Sequence, residues 1–498
     1  MTPGPGVPGV PFVPYVAVRE THTGVVVLAG DRAFKAKKPL VTDFLDFRRP
    51  EQRERACHRE VELNSRLSPE SYLGVAHLTD PTGGPAEPIV VMRRYHDDDR
   101  LAAMVSRDGT GESVRGLLAT IAAVLARFHQ RAERGPLIDA QGEPRAIERR
   151  WHENLSELDR YADVITEVSA ETVSRIRHLA AEFMSGRGPL FADRIRLGRI
   201  VDGHGDLLAD DIFCVQGEPA LLDCLEFDDE LRYVDGVDDA AFLAMDLEFL
   251  GREDLAGHFL RHYGMHAADP APSALLDFYI AYRAVVRAKV DCVRATQGGS
   301  EAADDAGRHL AIAAEHLHNG RVRLALVGGN PGTGKSTLAH ALAEDTGAQV
   351  ISTDDIRREL RDEGVVTGSA GVLDQGLYSP QNVAMVYEAA LRRAGRLLGE
   401  GHSVILDGTW RDPQLRARAH RLAWQTHSAI VELVCVAPVD TAAGRIANRR
   451  AGNSEVTPEI AQALAAQRAG WDTAHRIDTS LTPERMAHEA HDVWRRAI

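Results

Sequence analysis

Cysteine is scarce. Five residues in 498, at positions 57, 214, 224, 292 and 435, are odd in number and form no C-x-x-C pair. That pattern suggests neither a disulfide framework nor a thiolate zinc site, and it suits a reducing, cytoplasmic setting. No apolar run reaches the length of a bilayer span, so a membrane protein is not expected. Positive charge is in deficit as well: 58 Lys and Arg against 73 Asp and Glu leave a formal net charge of −15. This argues against nucleic-acid binding through a broad basic surface. Residues 1–14 are rich in Pro and Gly, with no basic start and no apolar core, and are expected to be a flexible leader rather than a signal peptide. What remains is ordinary globular composition, 44% hydrophobic and 26% charged, on a chain too long for one core. Two domains are the natural expectation.

The most informative stretch is Gly329, Asn330, Pro331, Gly332, Thr333, Gly334, Lys335, Ser336 and Thr337, which fills every fixed position of G-x-x-x-x-G-K-[ST]. The run V-R-L-A-L-V at 322–327 before it reads as a buried strand. Leu338, Ala339 and Leu342 after it keep helical spacing. A phosphate-binding loop needs that context: the glycines let backbone N–H groups turn toward phosphate oxygens, and the helix N-terminus adds partial positive charge. Lys335 is expected at the β- and γ-phosphates and the Ser336 hydroxyl on Mg²⁺. Asp407 ends V-I-L-D, where an acid would orient the metal. Asp354 follows the strand 349–352 and has Arg357 one helical turn on, a pair suited to an acceptor hydroxyl and an anionic group. Strands alternate with helices from 322 to 498, as in an α/β P-loop NTPase with a parallel sheet. The choice between ATP and GTP stays open.

The first 300 residues read differently. Runs at 25–29 and 32–38 flank Gly30-Asp31 as a hairpin, which puts Lys35 and Lys37 on one face. A helix is expected over 51–67, carrying Glu60, and further helices over 114–133, 170–184, 275–293 and 301–318. Asp97–Asp99 reads as a solvated turn. His204-Gly205-Asp206 lies between short strands, and Asp223 ends A-L-L. Asp206 suits proton acceptance from a hydroxyl, Asp223 suits Mg²⁺, and a strand lysine paired with a helical glutamate suits α- and β-phosphates.

On T-H-T-G-V-V-V-L-A-G-D (21–31), F-K-A-K-K-P (34–39), E-V-E-L-N-S-R-L (60–67), H-G-D-L (204–207), L-L-D-C-L-E-F (221–227) and Y-R-A-V-V-R-A-K-V (282–290), the stretch 15–295 resembles the aminoglycoside-phosphotransferase and choline-kinase-like group. It is most similar to the bacterial subfamily in which that domain precedes a P-loop domain. The resemblance implies an α+β protein-kinase-like fold, with Asp206 as catalytic base, Asp223 on the metal and Glu60 paired with the ATP-binding lysine, which is Lys35 or Lys37. The related motif ends in Asn as second metal ligand; here that position is Asp211, and no G-x-G-x-x-G loop is present. The C-terminal half resembles gluconate-kinase, zeta-toxin and polynucleotide-kinase-like enzymes, on S-T-D-D-I-R-R-E-L (352–360), V-I-L-D-G-T-W (404–410) and R-I-A-N-R-R (445–450). That likeness implies a basic lid bearing Arg445, Arg449 and Arg450. The expected organisation is a leader (1–14), a kinase-like domain (15–298), a helical linker (299–321) and a P-loop kinase domain (322–498). The expected function is ATP- and Mg²⁺-dependent phosphoryl transfer to a small hydroxyl-bearing metabolite. The alternative is a nucleotide-dependent regulatory scaffold with an N-terminal pseudokinase and an ATPase switch.

Overall fold

The computed structural model describes residues 15–20, 24–41, 46–79, 81–109, 111–369, 375–447 and 470–497. They fall into two compact units. The first holds the chain up to Ile147 together with Arg194–Ala271 and Tyr282–Ile312; the second holds Glu148–Asp193, Pro272–Ala281 and the chain from Ala313 onward.

The first unit opens with five strands, β1 (Val16–Glu20), β2 (Gly24–Ala29), β3 (Arg32–Lys37), β4 (Tyr72–Leu78) and β5 (Glu87–Arg93). They form one antiparallel sheet in the order β1-β2-β3-β5-β4. The β2–β3 turn is tight because Gly30 takes φ 58°, a left-handed conformation open to glycine. Register sets Val26 opposite Lys35 and Gly24 opposite Lys37. The helix Pro50–Asn64 starts on a proline, whose missing N–H costs nothing in a first turn. Its Cys57 joins Ala33, Tyr72, Val90 and Met92 in a small core. The expected solvated turn is a short 3₁₀ turn, Asp97–Asp99, whose exposed carboxylates pair with Arg19, Arg100 and Arg107.

Helices make up most of the rest of this unit. Glu112–Arg131 buries the stripe Val114, Leu117, Leu118, Ile121, Leu125 and Phe128, the helical spacing read in the sequence. Gly236–Phe249 is buried almost all round, its acids Asp238 and Asp239 included. Two ribbons carry the loops of interest: β6 (Ile200–Asp202) pairs with β9 (Tyr233–Asp235), and β7 (Ile212–Val215) pairs with β8 (Glu218–Leu221).

In the second unit β10 (Arg323–Gly328), β11 (Gln349–Ser352), β12 (Val404–Asp407), β13 (Ala429–Val436) and β14 (His475–Asp478) form a parallel sheet in the order β11-β12-β10-β13-β14. β10 and β12 are buried at every residue, as strands covered on both faces must be. The helices Lys335–Thr346 and Pro483–Arg496 contribute Leu338, Leu342, Met486 and Trp494 to the core around Val327 and Ile405. Residues 148–193 join this unit through Arg187, which is 1% exposed and donates to the carbonyls of Leu398 and Thr426, both at 2.8 Å. Among the described residues no helix is long and apolar enough to cross a membrane, and all five cysteines are buried and free of disulfides.

Candidate functional sites

Parallel register gathers the P-loop site at one edge of the sheet. Val327 of β10 and Ser352 of β11 both lie beside Asp407 of β12, so three strands end together where an open α/β sheet binds its ligands. The loop leaving β10 needs its glycines. Gly334 caps the following helix at φ 87°, and a Cβ on Gly332, itself at φ 80°, would lie 2.5 Å from the Ala442 carbonyl oxygen. Lys335 folds back so that Nζ donates to the Asn330 carbonyl at 3.1 Å. Ser336 Oγ donates to Asp407 Oδ2 at 2.6 Å. Burial raises the Asp407 carboxyl above its ordinary range, while the Lys335 charge and the Ser336 hydroxyl act in the opposite direction.

Beside them the helix Thr353–Asp362 is capped by Ser352, whose Oγ accepts from the Asp354 N–H at 3.2 Å. The Asp354 carboxylate is therefore free of capping duty and pairs with Arg357. The Arg357 guanidinium also stacks on Tyr378, 4.7 Å from the ring centroid. Arg445 donates to the Thr479 carbonyl at 2.7 Å and approaches Gly334. Arg449 and Arg450 lie outside the described residues. Sequence reasoning missed Tyr387, whose hydroxyl accepts from the N–H groups of Thr409 (3.1 Å) and Trp410 (3.2 Å) and so holds the segment after Asp407. Nothing in an amphipathic helix marks one tyrosine for such a task.

In the first unit one glutamate serves two lysines. Lys35 Nζ lies 2.8 Å from Glu60 Oε1 and 2.7 Å from Asp223 Oδ1. Lys37 Nζ lies 2.6 Å from Glu60 Oε2 and also pairs with Glu226. The Lys35 side chain is 12% exposed, whereas those of Lys37 and Glu60 are sealed. Burial works against the charged form of each, but the opposite charges win. Lys35 is held well above its usual range by Asp223 and Glu60, and Glu60 is held below its own by Lys35 and Lys37.

Asp223 occupies the left-handed region at φ 63°, a conformation costly for a non-glycine residue and concentrated at functional sites. Its N–H donates to Tyr72 Oη at 3.1 Å, and the next N–H, of Cys224, donates to Asn64 Oδ1 at 2.8 Å. Lys35 holds the Asp223 carboxyl below its ordinary value. Asp206 behaves oppositely: burial pushes it up to about 6, with Arg287 opposing and Asp223 reinforcing. Asp211 is raised well above the usual range by burial, then by Asp223 and Asp206.

The loop bearing Asp206 hangs from a residue the sequence did not single out. Asp239, fully buried, accepts from the N–H groups of His204 (2.7 Å) and Gly205 (2.9 Å), and His129 Nε2 lies 3.0 Å from it. An acid inside the apolar run D-D-A-A-F-L-A-M was the available signal.

Among the described residues no three His, Cys, Asp or Glu side chains gather into a metal site of their own. Ser336 with Asp407, and Asp211 with Asp223, are instead two-donor arrangements, the form used when phosphates and water complete the shell of Mg²⁺. Burial raises Asp211 first, and the charges of Asp223 and Asp206 add to that rise, so a cation shared by Asp211 and Asp223 would relieve their repulsion. Ser336 and Asp407 offer a hydroxyl and a carboxylate oxygen side by side, and both donor sets fit the ion. Bound there with nucleotide, Mg²⁺ would neutralise phosphate charge.

A family model described as an AAA domain matches residues 324–472. Over 483 residues the chain is 67% identical to the Mycobacterium tuberculosis (strain H37Rv) protein Rv2004c, covering 97% of this chain and 96% of that one. It belongs to the Rv2004c family. Among solved structures, the choline/ethanolamine kinase family protein from Mesorhizobium loti aligns with 62% of this family member and 94% of its own length, at 16% identity and TM-score 0.38. A gluconokinase from Sinorhizobium meliloti aligns with 36% of this chain and 94% of its own, at 16% identity and TM-score 0.27. In this Rv2004c-family protein an antiparallel sheet followed by helices precedes a five-stranded parallel domain that carries the P-loop and the AAA match.

Proposed function

We propose that the protein is an ATP-dependent phosphotransferase acting on a hydroxyl group of a small metabolite, with one nucleotide site in each domain. The observation that carries this is the meeting of Lys335, Ser336 and Asp407 at three adjacent strand ends, with the Asp354–Arg357 pair alongside. In this reading Lys335 holds the β- and γ-phosphates, and Ser336 with Asp407 holds Mg²⁺. Asp354 orients or deprotonates the acceptor, and Arg445 with Arg449 steadies charge on the transferring group. In the first domain Lys35 is the nucleotide lysine, because it alone of the two lysines touches both Glu60 and Asp223. Lys37 fixes Glu60 from behind, Asp206 is the base, and Asp223 with Asp211 holds the metal.

The division at 15–298, 299–321 and 322–498 and a cytoplasmic location belong to the same proposal. A second reading, a pseudokinase joined to an ATPase switch, draws on Asp211, an acid where the related motif has an amide. Incubating the full-length protein with γ-labelled ATP, Mg²⁺ and a small-molecule extract is expected to yield a new phosphorylated species by mass spectrometry, with ADP release that depends on the extract. ATP binding with no labelled product, and a changed affinity for a protein partner, would favour the switch.

If Asp206 is the base, transfer at that site is expected to fall on the acid side of about pH 6. The sign follows from the raised value. Protonation of the folded protein near pH 6, above the unfolded carboxyl near 4, removes the base while favouring the folded state, so activity falls where Asp206 costs no stability. A pH–rate profile of the Lys335→Ala protein checks this. A flat profile from pH 5 to 8 would remove Asp206 from the role.

A further inference from the structure

The base in the first domain is overlooked by arginines that the nucleotide chemistry does not use. Both lie on the part of helix Ser273–Thr296 that belongs to the first unit, four residues apart and so on one face. Arg283 is 4% exposed. Its Nε donates to Asp238 Oδ1 at 2.7 Å, and its Nη1 donates to the carbonyl of Gly205, the residue before Asp206, at 3.1 Å. Its Nη2 is buried without a hydrogen-bond partner. A guanidinium leaves a donor unused in a protein interior only at a cost.

Arg287, one turn on, is half-buried and forms no hydrogen bond or ion pair among the described residues. Its charge is nonetheless felt by Asp206 and by Asp246, and it opposes the rise that burial imposes on both. Asp246 meanwhile accepts from the Ala209 N–H at 2.8 Å. Cations around this site therefore divide. The lysines are spent on Glu60, Asp223 and Glu226, while two arginines, with donors to spare, attend the loop of the base.

We propose that the acceptor reaching Asp206 is a hydroxyl compound bearing an oxyanion, either a carboxylate or a phosphate monoester, whose charged group is held by Arg287 with Arg283 behind it. This rests on the phosphotransferase reading of the first domain. The acceptor hydroxyl oxygen forms a bond to the γ-phosphorus as the bond from that phosphorus to the β–γ bridging oxygen breaks. The hydroxyl proton passes to Asp206, ADP leaves with the bridging oxygen, and Asp206 returns the proton to water. Arg287 supplies no proton. It sets where the anionic end lies, which makes it a residue of acceptor specificity.

The test uses the full-length chain carrying Lys335→Ala, with Mg²⁺ and ATP, and four probes: glycerol 3-phosphate, glycerate, glycerol and choline. Inorganic phosphate serves as a fifth, for binding alone by calorimetry. The anionic probes are expected to bind, the preferred one marking phosphate or carboxylate as the natural group. Arg287→Gln is expected to weaken that binding, and any acceptor KM, about 10- to 100-fold, as loss of a charge-assisted contact does, with kcat little changed. Arg287→Lys should recover part of the loss. An arginine serving only as counter-ion to Asp206 would instead move kcat and the pH profile and leave KM alone, which overturns the proposal. So does preference for glycerol or choline, or the absence of any Arg287-dependent binding of phosphate, glycerate and glycerol 3-phosphate. Arg287-dependent binding without ADP release would sustain the anion subsite and sink the transfer reading for this domain. Turnover lost in Asp206→Asn with anion binding retained would support both.

Discussion

Lys335→Ala is expected to lower phosphoryl transfer at the P-loop by about 100-fold or more, the scale seen when a charged donor to a developing oxyanion is removed. The fold should survive, because Lys335 makes one hydrogen bond to its own loop, to the Asn330 carbonyl, and its side chain closes no core. The outcome is read with acceptor-dependent ADP release in four proteins: wild type, Lys335→Ala, Asp206→Asn and the double variant. A rate that collapses only in Lys335→Ala places the main reaction in the C-terminal domain. A rate unmoved by Lys335→Ala and abolished by Asp206→Asn would overturn that assignment.

The second large effect concerns stability. Glu60→Ala leaves Lys37, with a fully sealed side chain, facing Glu226 alone, and takes from Lys35 one of two partners. Breaking a buried pair by removing one member costs about 3–5 kcal/mol, since the remaining charge stays out of water. For a unit of this size that lowers a melting temperature by on the order of 10 °C. Two compact units need not melt together, so the measurement is calorimetry of the full chain, with the first unit's transition expected to move. Replacing both ends together, Glu60→Leu with Lys37→Met, should recover part of the loss, because the sealed Lys37 charge is gone and the carboxylate left without it, Glu226, keeps some contact with water. A Glu60→Ala protein melting like wild type would show that water reaches Lys37 and that the buried network is not a stabilising one.

The P-loop was legible because backbone geometry demands particular residues at fixed spacing. A turn that requires φ near 80–90° at Gly332 and Gly334 announces itself in composition. Alternation along β3 put Lys35 and Lys37 on one face but could not choose between them, and the structure shows why: Glu60 takes both. Other features hide because they depend on meetings between distant segments. Asp239 reaches back to His204 and His129, and Arg187 reaches forward to carbonyls more than 200 residues away. The edge strand His475–Asp478 escaped notice for the opposite reason: it buries only Ile477, so no apolar run marks it. Helix ends moved by a few residues, as at Asn64 rather than Leu67, where capping rather than hydrophobic spacing decides.

The 2.7 Å contact between Lys35 and Asp223 has a consequence for cation binding at the first unit. The lysine ammonium is a tethered cation standing at the carboxylate that a dissolved cation would otherwise seek. Asp223 therefore already has a counter-charge on that side, and a divalent ion would have to compete with a charge that cannot diffuse away. If the first domain binds nucleotide as proposed, a triphosphate would offer Lys35 a richer anion. An ammonium turned toward those phosphates would leave Asp223, with Asp211, to hold a cation. On that proposal, a preference for the metal–nucleotide complex over either component alone would follow from the swap of partners.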